Sequence, residues 1–231
     1  MRIIAEIGVN WNGDFNLLKE MMIEAKSAGC DYVKLQAFTK DMTKEHPESE
    51  RLAKTSVSKE NIQKIDQLAN EVCIEWFCTP MFPEAVDFLD PYVKRFKIRE
   101  LDGRPLLENK TTPLFEKLKK TNKEIIISTV KVPSDIKYHG LKNLKWLYCV
   151  PKYPCDLKDF DFTEIKKFDG FSNHSNEIIV PITAAVLGAN ILEIHITSDK
   201  NKDFFDNNVS FDYSELKEIV RMIRLAEKIK K

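Results

Sequence analysis

Apolar positions along the chain switch repeatedly between a period of two and a period near 3.6, which marks alternating strands and helices. Short β-like runs fall at residues 2–7, 31–38, 74–78, 93–98, 125–129, 144–150, 170–174 and 191–197. Helical spacing covers 16–28, where Leu17, Leu18, Met21, Met22 and Ala25 share one stripe, and 58–72, where Ile62, Ile65, Leu68 and Ala69 do. Further helices are expected over 83–89, 105–121 with a break near Pro113, 162–167 and 181–187, with a weak signal over 133–137. The last helix is expected from Tyr213 to about Lys230, with Leu216, Ile219, Val220, Ile223 and Ile229 inward. Asp212 followed by Glu215 has the spacing of a cap for it.

Eight strands alternating with connections imply parallel pairing, and eight is the number that closes a barrel. The expected fold is a single (β/α)8 TIM barrel over 1–231. An open doubly wound sheet is the alternative, but it would carry a GxGxxG turn after its first strand. The turn here reads Gly8-Val9-Asn10-Trp11-Asn12-Gly13. The one long irregular segment, 39–57, follows strand two, where a barrel carries active-site loops.

In a barrel the outward strand positions pack on helices and the alternate ones point inward. With Ile3, Ala5 and Ile7 outward, Glu6 points in; Val33, Leu35 and Ala37 outward leave Lys34 and Gln36 inward. Lys97 and Ser128 end strands four and five. Ser172 and His174 share a face of strand seven, and Glu193, His195 and Thr197 turn inward on strand eight. A buried unpaired charge costs several kcal/mol, so packing alone does not collect such groups. They converge on the C-terminal mouth, where barrel enzymes keep their chemistry.

Each group also has a plainer reading. Glu6 and Lys34 suit a structural ion pair. A single strand-end histidine suits a hydrogen-bonded core position, whereas two on adjacent strands suit a metal. His46 and His139 sit among polar loop residues and read as solvated; Lys119-Lys120 and Lys166-Lys167 read as solvated helix faces. Cys30, Cys73, Cys78, Cys149 and Cys155 read as small apolar fillers.

Composition narrows the function classes. With 43% hydrophobic and 31% charged residues the chain is neither disordered nor collagen-like. Thirty-six basic residues balance thirty-six acidic ones, so no global field attracts nucleic acid or an anionic membrane. No apolar run approaches the roughly 20 residues of a membrane span. Five cysteines, an odd number without a CxxC pair, argue against a disulfide framework or zinc knuckle. A start that turns polar early does not read as a signal peptide, and the expected location is cytoplasmic.

Eight stretches in order resemble the sialic acid synthases, a family that includes the N-acetylneuraminate, legionaminate and pseudaminate synthases. They are AEIGVNWNGD (5–14), VKLQ (33–36), CTP (78–80), FKI (96–98), IST (127–129), YP (153–154), GFSNHS (170–175) and LGANILEIHIT (187–197). The resemblance implies a (β/α)8 barrel that condenses phosphoenolpyruvate with an N-acylated amino sugar in surface polysaccharide biosynthesis. It implies a divalent metal, Mn2+ with Mg2+ or Co2+ as alternatives, on His174 and His195. Catalytic positions map to Glu6, Lys34, Lys97 and His195. Phosphoenolpyruvate-side positions map to Lys34, Thr79, Lys97, Ser128 and Ser172, and sugar-side positions to Gln36, Asp102, Tyr153 and Asp206. A homodimer is a further partner the resemblance suggests.

The sequence departs from that family in places. KIxSGE becomes Lys97-Ile98-Arg99-Glu100-Leu101-Asp102, so a carboxylate replaces a phosphate-binding serine and Asp102 shortens a glutamate. Val130 and Pro151 replace other family residues, and Trp11 stands where the family has His. Nothing here resembles the family's C-terminal antifreeze-like domain, so a catalytic barrel alone is expected. Glu100 is expected to weaken phosphoenolpyruvate binding by repulsion, and Glu100→Ser to tighten it, with compensation by Lys34 and Lys97 or a turn of Glu100 toward Arg99 or Arg104 as the alternative. Two other readings remain open: a metal-dependent or Schiff-base aldolase, and a non-catalytic sugar- or metal-binding homologue.

Overall fold

The computed structural model describes residues 1–229. Eight parallel strands close in chain order: β1 (Arg2–Gly8), β2 (Tyr32–Ala37), β3 (Glu75–Pro80), β4 (Arg95–Ile98), β5 (Glu124–Thr129), β6 (Leu144–Cys149), β7 (Gly170–Asn173) and β8 (Ile191–His195). β1 pairs with β8, which shuts the ring, and every pairing is parallel. The helices are α1 (Phe15–Ala28), α2 (Ser49–Ala53), α3 (Ile62–Val72), α4 (Pro83–Leu89), α5 (Glu100–Leu107), α6 (Pro113–Lys120), α7 (Ile179–Leu187) and α8 (Tyr213–Ile229). The barrel is therefore the one the periodicity predicts.

The helix ends follow from local chemistry. Asp14 precedes α1, and its carboxylate accepts from the Asn16 backbone N–H at 2.8 Å. Asp212 and Glu215 exchange backbone-to-carboxylate bonds of 2.9 Å each, the reciprocal cap their spacing suggests. The expected inward stripe of α8 is buried at Leu216, Ile219, Val220 and Ile223, but Ile229 is exposed at the helix end. The expected end at Lys230 lies outside the described residues.

Three expectations need correction. The helix over 105–121 breaks ahead of Pro113 as expected, but its first part begins at Glu100, with Pro105 inside it. Pro113 opens the second, where its missing N–H costs nothing. The weak signal over 133–137 forms no helix; Val132, Ile136 and Tyr138 pack on the core there, with Tyr138 edge-on to Phe115 at 5.0 Å. The 162–167 helix reduces to a 3-10 turn at Ile165–Lys167, where Phe160, Phe162 and Phe168 cover Tyr148 and Phe171. In both crossovers aromatic side chains take over the covering role of a helix. The irregular 39–57 segment holds a 3-10 turn (Lys40–Thr43) and α2.

Inside the ring the inward positions form layers. Near the N-terminal end, Arg2 of β1 reaches Glu124 of β5 at 2.6 Å, and Arg95 of β4 bonds Glu124 and Glu75. The Arg95 guanidinium also lies 4.0 Å from the centre of the Tyr32 ring. Ile4, Phe77, Ile126 and Leu147, all fully buried and of the same inward parity, separate this layer from the mouth. β7 and β8 approach so closely at Gly170 that a Cβ there would lie 2.0 Å from the Ile191 carbonyl oxygen.

Candidate functional site

Register sets the first contacts at the C-terminal mouth. Glu6 pairs in register with Lys34 of β2 on one side and His195 of β8 on the other. A register shift between Glu6 and Gly8 ends the regular pairing, and Gly8 has φ +52. A Cβ on Gly8 would lie 3.1 Å from both the Gln36 amide nitrogen and a Glu6 oxygen, so glycine keeps this approach open. Gln36 Nε2 donates to Glu6 Oε1 at 2.9 Å.

Glu193 is the hub. Its Oε1 accepts from Ser172 Oγ at 2.7 Å and from Lys97 Nζ at 3.2 Å, and its Oε2 lies 3.5 Å from Lys34 Nζ. Lys97 also donates to Ser128 Oγ at 2.7 Å, and Lys34 to Thr79 Oγ1 at 3.1 Å. Glu6 Oε2 is 3.1 Å from Lys34 Nζ but is not aligned for a hydrogen bond. All four charged side chains are at most 5% exposed.

Burial and neighbours split their titration. Burial opposes the charge on Glu193, but the two ammonium groups and Ser172 outweigh it and hold the carboxyl below its usual range. Burial pushes Glu6 up, with Glu193 adding to the effect against the pull of Lys34. Lys34 is raised because Glu193 and Glu6 outweigh burial. Lys97 is lowered by burial, helped by the charge of Lys34. Cys149 lines the same space, but burial lifts its thiol to about 12, so it is no nucleophile at neutral pH.

The two imidazoles sit side by side, ring centres 5.5 Å apart. His174 Nδ1 is 2.8 Å from the Val150 carbonyl oxygen and its Nε2 is 2.6 Å from the Tyr153 hydroxyl. An N–H at Nδ1 then leaves Nε2 to accept from Tyr153. Burial and the neighbouring imidazole push His174 down to about 3. His195 moves the other way, because the Asp206 carboxylate, 3.6 Å from Nδ1, together with Glu6 outweighs burial. His195 Nδ1 has no hydrogen-bond partner among the described residues. Asn10 sets the Asp206 loop: its Oδ1 accepts from the Asp206 N–H at 3.0 Å, while its amide donates to Ile196 O and Ser210 Oγ.

These groups open into a cavity of about 790 Å³. Glu6, Lys34, Gln36, Thr79, Lys97, Ser128, Tyr153, Ser172, His174, His195 and Asp206 all line it. Asp102 does not; its carboxylate accepts from Arg99 Nε at 2.5 Å on the exit turn of β4. Thr197 turns away too, and its hydroxyl donates to Asn207 Oδ1 at 2.6 Å. Trp11 is buried against Phe15 and donates from its indole to the Thr55 carbonyl at 3.0 Å. His46 and His139 are both exposed, as read, and His46 also stands on the cavity rim with its ring edge-on to Phe205 at 5.7 Å. Sequence reasoning placed Glu193 inward without seeing its centrality. Parity with His195 was the available signal. It reached Arg99 and Arg104 only as groups Glu100 could turn toward, not as cavity-lining residues, and it missed Phe205; no strand alternation points the way at the rim.

The model of the NeuB family matches residues 21–231. This chain belongs to the NeuB family. The N,N'-diacetyllegionaminic acid synthase of Legionella pneumophila is 32% identical, with 98% of this chain aligned to 72% of that protein. An uncharacterized protein of Methanocaldococcus jannaschii is 34% identical, over 98% of this chain and 71% of its own length. The solved N-acetylneuraminic acid (sialic acid) synthetase of Leptospira borgpetersenii serovar Hardjo-bovis, in complex with citrate, superimposes with a TM-score of 0.85 at 26% identity, over 99% of this chain and 84% of that one. Further relatives are an N-acetylneuraminate-9-phosphate synthase of Homo sapiens and a pseudaminic acid synthase of Helicobacter pylori, 30% and 27% identical. Among the described residues no helix is long and apolar enough to cross a membrane.

Proposed function

We propose that this protein joins phosphoenolpyruvate to an N-acylated amino sugar, forming a sialic-acid-like sugar acid and releasing phosphate. The observation that carries the reading is the pair of buried ammonium groups, each beside a hydroxyl, around Glu193 and next to two imidazoles. A phosphate and a carboxylate on one small molecule call for two such cationic positions when no glycine-rich loop is present. Thr79, Ser128 and Ser172 add hydroxyl donors on the same wall, and Gln36, Tyr153 and Asp206 stand on the side that suits a sugar.

His174 and His195 fit a divalent cation. Their rings adjoin, and His195 Nδ1 is a buried nitrogen without a hydrogen bond. Among the described residues no third His, Cys, Asp or Glu joins them in a metal-binding group, so substrate or water oxygens would complete the coordination. Mn2+, with Mg2+ or Co2+ as alternatives, suits mixed nitrogen and oxygen donors and supplies Lewis acidity toward a carbonyl oxygen when bound.

The chain's own residues do the rest. Lys34 and Lys97 hold the enol phosphate and its carboxylate, so that C3 faces the sugar aldehyde. The enol π pair forms the new C–C bond, and the aldehyde oxygen takes up a proton to become a hydroxyl. Water adds at C2, with Glu6 accepting its proton. The C2–O bond to phosphorus then breaks, leaving a ketone and free phosphate. The lowered ammonium of Lys97 favours a second reading, a Schiff-base aldolase. Borohydride trapping with pyruvate tests it.

The test incubates the protein with Mn2+, phosphoenolpyruvate and a panel of N-acylated hexosamines. Phosphate should appear only when both substrates are present, stop on chelation and return with added metal. Bridging 18O should leave with the phosphate. Absence of sugar-dependent phosphate release across the panel would overturn the reading.

A further inference from the structure

We propose that Arg104 is the phosphate-recognising residue of this cavity and that Glu100 positions it. The inference rests on the condensation reading for its ligand class, a phosphate monoester.

The inner cavity has no spare positive charge. Lys34 and Lys97 are matched by Glu6 and Glu193, so two cations meet two anions before any ligand arrives. A phosphate dianion needs a further donor group, and the rim holds one. Arg104, one helical turn beyond Glu100 on α5, lines the cavity with Lys97 and Ser128.

Glu100 is not a bare carboxylate facing the ligand. It is only 8% exposed, and both its oxygens accept from the single Nε–H of Arg104, at 2.8 and 3.0 Å. Its charge is offset by the guanidinium, although Glu100 also lines the cavity. The bond fixes the guanidinium by its inner edge and leaves Nη1 and Nη2 with no partner among the described residues. Those two nitrogens carry four N–H donors in one plane, the fork that matches phosphate oxygens. The neighbouring Arg99 is less available, because it spends Nε and Nη2 on Asp102. The carboxylate that replaces the resembling family's serine thus works through the arginine four residues on.

Calorimetry with phosphoenolpyruvate and with an N-acylhexosamine 6-phosphate tests this on the wild type and on R104A, R104K, E100S, E100Q and K97A, with melting curves to confirm folding. R104A should weaken phosphate-ester binding by about tenfold or more, R104K by less, since lysine keeps charge without the fork. E100S should weaken binding several-fold, and E100Q, which retains an acceptor for Nε, should recover part of it. Loss confined to phosphoenolpyruvate or to the sugar phosphate says which ester the arginine holds, and either supports the subsite. R104A binding both esters as tightly as wild type, or E100S binding tighter, overturns the inference while K97A shows the condensation reading intact. A wild type that binds neither ester overturns both.

Discussion

The two ends of the barrel enclose the same formal charges, two cations and two anions, yet they are built for different ends. At the N-terminal end Arg2, Glu75, Arg95 and Glu124 bond one another across the ring, and none of their buried polar atoms lacks a partner. At the mouth Glu6 Oε2, Glu193 Oε2 and His195 Nδ1 are buried without a hydrogen bond. The cations differ as well: guanidinium forks fix geometry at the closed end, whereas lysines at the mouth are compact charges on flexible stems. Exposure separates them further, 12–30% at the closed end against 1–5% at the mouth. The closed end leaves none of its buried polar atoms unpartnered; the mouth keeps several for a ligand.

Removing one charge from each end gives the largest contrast. Glu193→Ala strands the buried Lys97 ammonium and leaves Lys34 with Glu6 alone, and should cost about 3–5 kcal/mol in urea unfolding; a loss below about 1 kcal/mol would break the comparison. Glu124→Ala strands Arg2 while Arg95 keeps Glu75, water screens both arginines, and about 1–2 kcal/mol is expected from the same titration. The smallest change in stability should come from replacing the whole mouth set: E6L/K34M/E193L/K97M should stay within about 1 kcal/mol of wild type, or gain, because a buried ion network is often no better than well-packed apolar groups. Calorimetry on that quadruple variant should show phosphoenolpyruvate binding gone. A quadruple variant that collapses would show that the mouth charges hold the fold as the lower ring does.

Strand parity made most of the mouth legible, because a period of two leaves no choice once the outward face is apolar. Glu6, Lys34, Gln36, Lys97, Ser128, Ser172 and His195 reach the cavity for that reason. The rim followed no such period. Asp102 and Glu100 lie two residues apart on α5, yet one turns to Arg99 and the other to Arg104. The start of α5 was hidden because Pro105 and Gly103 argue against a helix that packing nevertheless forms. Thr197 lay beyond the last regular β8 residue, where alternation no longer binds the backbone. The lower charged ring went unread because single charges at strand beginnings look like solvated ends until closure brings opposite strands together.

Gly170 gives the barrel an unequal tolerance of inheritance. The obstacle to any side chain there is the Ile191 backbone, 2.0 Å from where a Cβ would stand, so neither rotamer choice nor a neighbour's yielding can relieve it. Strand β7 or β8 must give way, and the mouth groups lie ahead on both: Ser172 and His174 two and four residues beyond Gly170, Glu193 and His195 two and four beyond Ile191. A displacement of about 1 Å in a positioned group costs on the order of a hundredfold in rate. Selection on this glycine is therefore exerted at the opposite end of the strand. Lineages drifting at position 170 would be culled for what happens to an imidazole some 13 Å away, and a survey of folded but silent variants would find this strand beginning over-represented among them.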